Sequence, residues 1–131
     1  MMGGRRFTGN VAAMHKYRHL VAWQRAHEAT LAVFRSAQAH YHPRSRVLLD
    51  QLRSATLSVD LNIVEGCALG SVALFRRHVR IAIGSAAEAQ RIAEIVRQLE
   101  YLPGETTSQL DRLLDETLAC LHGLMKRLNQ S

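Results

Sequence analysis

Between residues 17 and 41 the chain has no proline or glycine, and Leu20, Trp23, His27, Thr30, Phe34, Ala37 and Tyr41 recur at alternating steps of three and four. That period marks one face of a helix, so a first helix is predicted over residues 17–41. Pro43 then drives His42 out of the helical region, and Ser45 is placed to cap a second helix. This helix is predicted to run to about Glu65, with Gly66 in the left-handed closing position. Gly70 and Ser71 open a third helix, predicted to about Tyr101. Its residues Phe75, Val79, Ala82, Ala86, Ala89, Ala93 and Val96 form a heptad seam. Pro103 and Gly104 make a turn, and Ser108 with Asp111 approximates a capping box for a fourth helix. Leu110, Leu114, Thr117, Leu121, Leu124 and Leu128 supply its stripe.

Short connections favour neighbouring helices of opposite direction. The predicted class is therefore all-α, an antiparallel up-down-up-down four-helix bundle. Residues 1–14 have no such period and contain three glycines. Residues 1–16 are expected as a flexible basic N-terminal tail, and residues 17–131 as the bundle. Met14 is an alternative start.

The second helix carries one further pattern. At 100° per residue, Gln51, Ser54, Ser58, Asn62 and Glu65 fall within about 80° of one another. Leu48, Leu52, Ala55, Val59 and Ile63 lie on one side of this polar stripe. Leu57, Leu61 and Val64 lie on the other, with Arg53 and Asp60 opposite the stripe. A four-helix subunit ordinarily covers only one apolar face, so Leu57, Leu61 and Val64 mark a candidate interface of a homo-oligomer. Polar groups between two such faces reduce stability but can fix register and partner choice. The alternative is that Asn62 and Glu65 only satisfy the frayed helix end near Gly66.

Composition leaves this picture standing. At 131 residues, with 47% hydrophobic and 21% charged residues, the chain fits one ordinary globular domain. No apolar run reaches the ~18 to 20 residues needed to span a bilayer. The N-terminal arginines precede no apolar segment of the export type, so the cytoplasm is the expected compartment and no membrane is expected as a partner. Cys67 and Cys120 are too few for a disulfide framework and read as buried thiols.

Charge adds a candidate surface. Of the net +6, all the excess lies in residues 1–50, which hold eight Lys or Arg against two acids, while residues 51–131 hold nine of each. Arg76, Arg77, Arg80 and Arg91 fall within about 100° of arc opposite the third helix's seam. They form a candidate phosphate-binding stripe for RNA or DNA, joined by Lys16, Arg18, Arg25 and Arg35 if symmetry repeats the patch around a ring. A solvated face partly neutralised by Glu88 and Glu94 explains the same residues. Aromatics are 5% of the chain and fall mostly on core stripes, which points to backbone contacts without stacking.

Other chemistry finds little support. Gly84 and Ser85 sit mid-helix, where glycine costs about 1 kcal/mol relative to alanine. Close approach of a neighbouring backbone or of the Asn62 amide, with Ser85 bonding across, would offset that cost. His15 and His19 have a metal-clamping spacing but no acidic or cysteine partner, so no metal or cofactor is expected. Asp111, Asp115 and Glu116 are read as negative charge favouring the first turns of the fourth helix. With no phosphate-cradling loop and no nucleophile motif, no enzymatic function is expected.

The stretch "QLRSATLSVDLNIVEG", followed after seventeen residues by "GSAAEA", resembles the bacterial 23S ribosomal RNA intervening-sequence family of four-helix bundles. Gln51, Ala55, Ser58, Asn62, Ile63, Glu65, Gly66, Ile81, Ala82, Gly84, Ser85 and Glu88 match its motif at the expected intervals, as do Trp23 and Tyr101-Leu102. Ser54 departs from the family's usual Arg, Val64 from Ala, and Leu69 from Arg. The link from Pro43 to Gln51 is also about two residues shorter than usual. The resemblance implies a small cytoplasmic bundle assembled as a homopentamer, without established enzymatic activity. It also implies a more distant likeness to retroelement accessory proteins, basic pentamers that bind nucleic acid and a reverse transcriptase. A scaffold for a protein partner, without nucleic-acid contact, is the alternative function.

Overall fold

The computed structural model describes residues 16–130. The sequence-predicted tail lies outside the described residues except for Lys16, as do Met14 and His15. After a 3-10 turn at Tyr17–His19 come α1 (Val21–Ala39), a second 3-10 turn at Pro43–Ser45, α2 (Arg46–Ala68), α3 (Val72–Gln98) and α4 (Gly104–Asn129). All the regular structure of the described residues is helical. Each of α1 and α3 packs against both α2 and α4, and α1 lies diagonally across the bundle from α3. Residues that meet run in opposite order along adjoining helices. Trp23 meets Asp60 and Thr30 meets Thr56; Ser58 meets Ser85 and Asn62 meets His78; Arg76 meets Leu128 and Gln90 meets Asp115.

Two apolar clusters stack along the bundle. One gathers Val33, Leu49, Leu52, Val96, Leu110 and Leu113 with small residues between them. The other gathers Val59, Ile63, Val79, Leu121 and Leu124 around Ala22, Ala26, Ala82 and Ala86. Full burial of each such Leu or Ile contributes roughly 1.5–3 kcal/mol. Between the clusters along α1, α2 and α4 lie Thr30, Thr56 and Thr117, all buried. Each hydroxyl donates to the carbonyl four residues earlier, of Ala26, Leu52 and Leu113 respectively. Among the described residues no buried side-chain polar atom is left without a partner.

The seams predicted on α3 and α4 are the buried ones, with Phe75 and Leu128 partly covered at the ends. The α1 stripe is displaced. Its core face is Ala22, Ala26, Ala29, Thr30, Val33 and Ala37, while Phe34 and Tyr41 are exposed. Alanine lets α1 approach its neighbours closely, which moves the larger side chains to the flank. There Trp23 donates through Nε1 to Asp60 Oδ1 at 2.8 Å and stacks on His27.

The helix ends also differ from expectation. Extended backbone at His42 does precede Pro43, but Ser45 makes no side-chain cap to α2; its hydroxyl donates to the His42 carbonyl at 3.0 Å. α2 passes through Gly66 to Ala68, and the left-handed residue is Gly70, φ 69°. Ser71 caps α3 by accepting from the Leu74 N–H. α4 starts at Gly104, so Ser108 lies inside it and Glu105 is the acid of its first turn.

α3 ends before Tyr101, at Gln98. Glu100 takes a left-handed conformation, φ 59°, and the Tyr101 N–H reaches back to the Val96 carbonyl at 3.0 Å. An L-residue with a side chain loses about 1–2 kcal/mol in that region, and glycine does not. Glu100→Gly is therefore expected to raise stability by up to about 1 kcal/mol, after glycine's greater unfolded-state entropy is offset. Urea unfolding at constant m-value checks this.

Candidate functional site

The polar stripe of α2 lies along α3 and is hydrogen-bonded to it. Gln51 Nε2 donates to Glu88 Oε2 at 2.7 Å, and the Ser58 and Ser85 hydroxyls meet at 2.8 Å. Asn62 Nδ2 donates to the Ser58 carbonyl at 2.8 Å and to Ser58 Oγ at 3.2 Å. The Asn62 Oδ1 is then left to accept from His78 Nδ1, 2.9 Å away. Glu65 Oε2 lies 3.7 Å from the same nitrogen. Ser54, the remaining member of the stripe, is exposed. His78 is half-buried and flanks the α3 seam one position before Val79.

The two motif glycines have different surroundings. A Cβ at Gly66 would lie 2.8 Å from His78 Cβ and 3.0 Å from Phe75 Cδ1, so the missing side chain is what lets α3 close on α2. A Cβ at Gly84 would meet nothing within 4 Å. The close contact expected at Gly84 within the bundle is therefore absent, and the position is exposed. The register set by Ser58–Ser85 and Asn62–His78 brings Leu57 level with Gly84, and Leu61 level with Ile81. Leu57 is 38% exposed, Leu61 46% and Ile81 44%; Val64 is half-buried. The outer edge of the seam is thus an apolar strip with a gap at Gly84.

The candidate basic residues separate by what they touch. Arg25 pairs with Glu28 at 2.5 Å and with Glu116 at 3.0 Å, joining α1 to α4. Arg76 Nη1 donates to the Leu128 carbonyl at 3.1 Å, capping the end of α4. Arg18 lies over the Tyr17 ring. Lys16 and Arg35 are exposed. Arg77, Arg80 and Arg91 are exposed along the outer side of α3, and their side chains make no ion pair or hydrogen bond among the described residues. Because α1 and α3 are diagonal, the arginines of α1 do not extend the α3 row within one subunit.

Asp111 and Asp115 of α4 are tied to α3. Asp111 lies 3.6 Å from Arg97, and Asp115 accepts from Gln90 at 2.5 Å. Burial pushes the Asp111 carboxyl above the usual carboxylate range, with Arg97 opposing and Glu94 and Asp115 reinforcing the shift. Burial likewise raises the Cys67 thiol, against the charge of Lys16. Cys67 and Cys120 form no disulfide. Among the described residues no group of three His, Cys, Asp or Glu is arranged to hold a metal ion, and no helix is long and apolar enough to cross a membrane.

The model of the 23S rRNA-intervening sequence protein family matches residues 18–123. The chain belongs to this family. No curated protein matches significantly. The family match spans α1, α2 and α3 and most of α4. The residues that carried the family motif in the sequence, Gln51, Ser58, Asn62, Glu65, Gly66, Ser85 and Glu88, meet along the α2–α3 seam. Their shared structural task is to join these two helices. Gly84 and Ile81 of the motif are exposed instead, and a Cβ at Gly84 would meet nothing within 4 Å.

Proposed function

We propose that this family member is a non-enzymatic, cytoplasmic homo-oligomer, an antiparallel up-down-up-down bundle assembled as a ring-like pentamer, which binds RNA or DNA backbone through repeated basic patches. The opposed order of contacting residues supports the antiparallel arrangement. The observation that carries the assembly is the exposed strip of Leu57, Leu61 and Ile81 beside an open Gly84. Glycine costs about 1 kcal/mol inside a helix. Close packing of a second copy at Gly84 would repay that cost where the subunit itself does not. The pentamer and the ring come from family likeness.

Next to this strip run Arg77, Arg80 and Arg91. Ring symmetry would set one such row per subunit around the assembly, multiplying a weak phosphate site. A labelled RNA duplex is therefore expected to bind at 50 mM salt and to weaken steeply by 200 mM, with a log–log slope that grows with the number of phosphates contacted. The triple replacement Arg77→Ala, Arg80→Ala and Arg91→Ala should lower affinity at least about tenfold and flatten that slope, while the sedimentation mass stays unchanged. Absence of binding even at low salt would overturn the nucleic-acid reading and favour a scaffold for a protein partner, which the exposed leucines would serve equally well.

A further inference from the structure

Where α1 passes into α2, the surface presents aromatic rings among positive charges. Tyr41 is 56% exposed and Phe34 is 37% exposed. Between them opens a recess of about 460 Å³ whose walls include Arg35, Gln38 and Arg53. The Arg53 guanidinium lies 5.8 Å from the centre of the Phe34 ring. Beyond Tyr41 a second hollow, of about 220 Å³, is bordered by Arg44. From residue 34 to residue 53 the chain has four arginines and one acid, Asp50. Asp50 pairs with Arg53 and lies 4.0 Å from Arg46, and Glu100 faces the second hollow. The Arg35 and Arg44 side chains have no ionic or hydrogen-bond partner among the described residues and are exposed.

We infer that this end of the bundle is a binding platform for an unpaired nucleotide strand, with a base stacked on Tyr41 at the Phe34 recess and its phosphates beside Arg35 and Arg44. The inference deepens the nucleic-acid reading and rests on it, but it places a second, base-dependent contact away from the α3 row. Exposed rings offer every base a stacking face. An arginine plane over a ring extends that face. The Gln38 amide, between the rings, has both a donor and an acceptor for a base edge. A duplex keeps its bases stacked inside and presents only phosphates to such a surface. The charge balance favours an anionic strand over an acid-poor apolar partner.

Fluorescence anisotropy with four labelled probes tests this on the full chain: a 12-nucleotide oligouridylate, the matching oligothymidylate, an abasic strand of equal charge, and a duplex. The intact single strands are expected to bind about tenfold more tightly than the abasic strand. Tyr41→Ala should remove that preference and leave duplex binding unchanged, while Tyr41→Trp should retain it. If only one of the two intact strands shows the preference, the site is upheld and its source, RNA or DNA, is identified. The α3 triple variant separates the two claims. Duplex binding lost in that variant, with the base preference kept, upholds the platform. Equal affinity for intact and abasic strands, unaltered by Tyr41→Ala, overturns it even if the α3 row binds phosphate. No binding of any probe overturns both claims.

Discussion

Gly66→Ala is expected to destabilise the subunit by about 2 kcal/mol or more, although alanine is the better helix former. Helix propensity alone favours the substitution by about 1 kcal/mol, since Gly66 lies inside α2. The opposing effect is steric. The new Cβ would sit 2.8 Å from His78 Cβ, an atom fixed to the α3 backbone and unable to rotate away. Relief requires α2 and α3 to separate, and the separation loosens the Asn62–His78 and Ser58–Ser85 bonds, of 2.9 and 2.8 Å. Overpacking and weakened polar contacts therefore act in the same direction and outweigh propensity. Gly123→Ala on α4 is the matched control. It also lies inside a helix, but its Cβ would meet nothing within 4 Å, so a gain of up to about 1 kcal/mol is expected. Chemical unfolding of both variants checks the contrast; a similar gain in both would remove the steric account of Gly66.

These two glycines show where sequence reasoning reaches its limit. A glycine near the end of a periodic stretch reads as a helix stop, and Gly66 stood one residue after the expected end. The backbone instead continues to Ala68, and Gly70 takes the positive φ. What distinguishes the two positions is the distance to another helix, which no local spacing encodes. The α2 polar stripe was legible because five hydrogen-bonding side chains in a narrow arc demand a partner surface. Its partners were half legible: Ser85 and Glu88 came with the family motif, whereas His78 did not.

α1 was misread for a related reason. Stripes of large residues attract attention, but the face that packs is the one whose small residues allow the closest approach, here Ala22, Ala26, Ala29 and Ala37. That error hid the exposure of Phe34 and Tyr41, and with it the basis for expecting stacking. On α3 and α4 the heptad positions are the packed ones, the alanines of α3 included, so the pattern sufficed. The basic residues behaved differently again, because a helical wheel gives direction but not engagement. Arg76 shares the arc of Arg77 and Arg80, yet it is held by the Leu128 carbonyl.

Leu57→Glu combined with Leu61→Glu is expected to break the assembly while leaving the subunit folded. Both side chains are exposed in the single chain, at 38% and 46%, so the new carboxylates would be solvated there and alter subunit stability by no more than about 0.5 kcal/mol each. In an assembly that covers this strip, the same carboxylates would be desolvated, at a cost of several kcal/mol per contact. That exceeds what a modest interface returns, and closed symmetry would repeat the loss at every contact. Sedimentation should then move from a multiple of the chain mass to the 14.7 kDa of the chain itself, with helical circular dichroism retained. Nucleic-acid affinity should fall as well, although no arginine has been changed, because the repeated rows of Arg77, Arg80 and Arg91 would no longer act together. A wild-type chain that sediments at its own mass, or a variant that keeps the wild-type mass, would detach the charge argument from assembly and leave each row to bind alone.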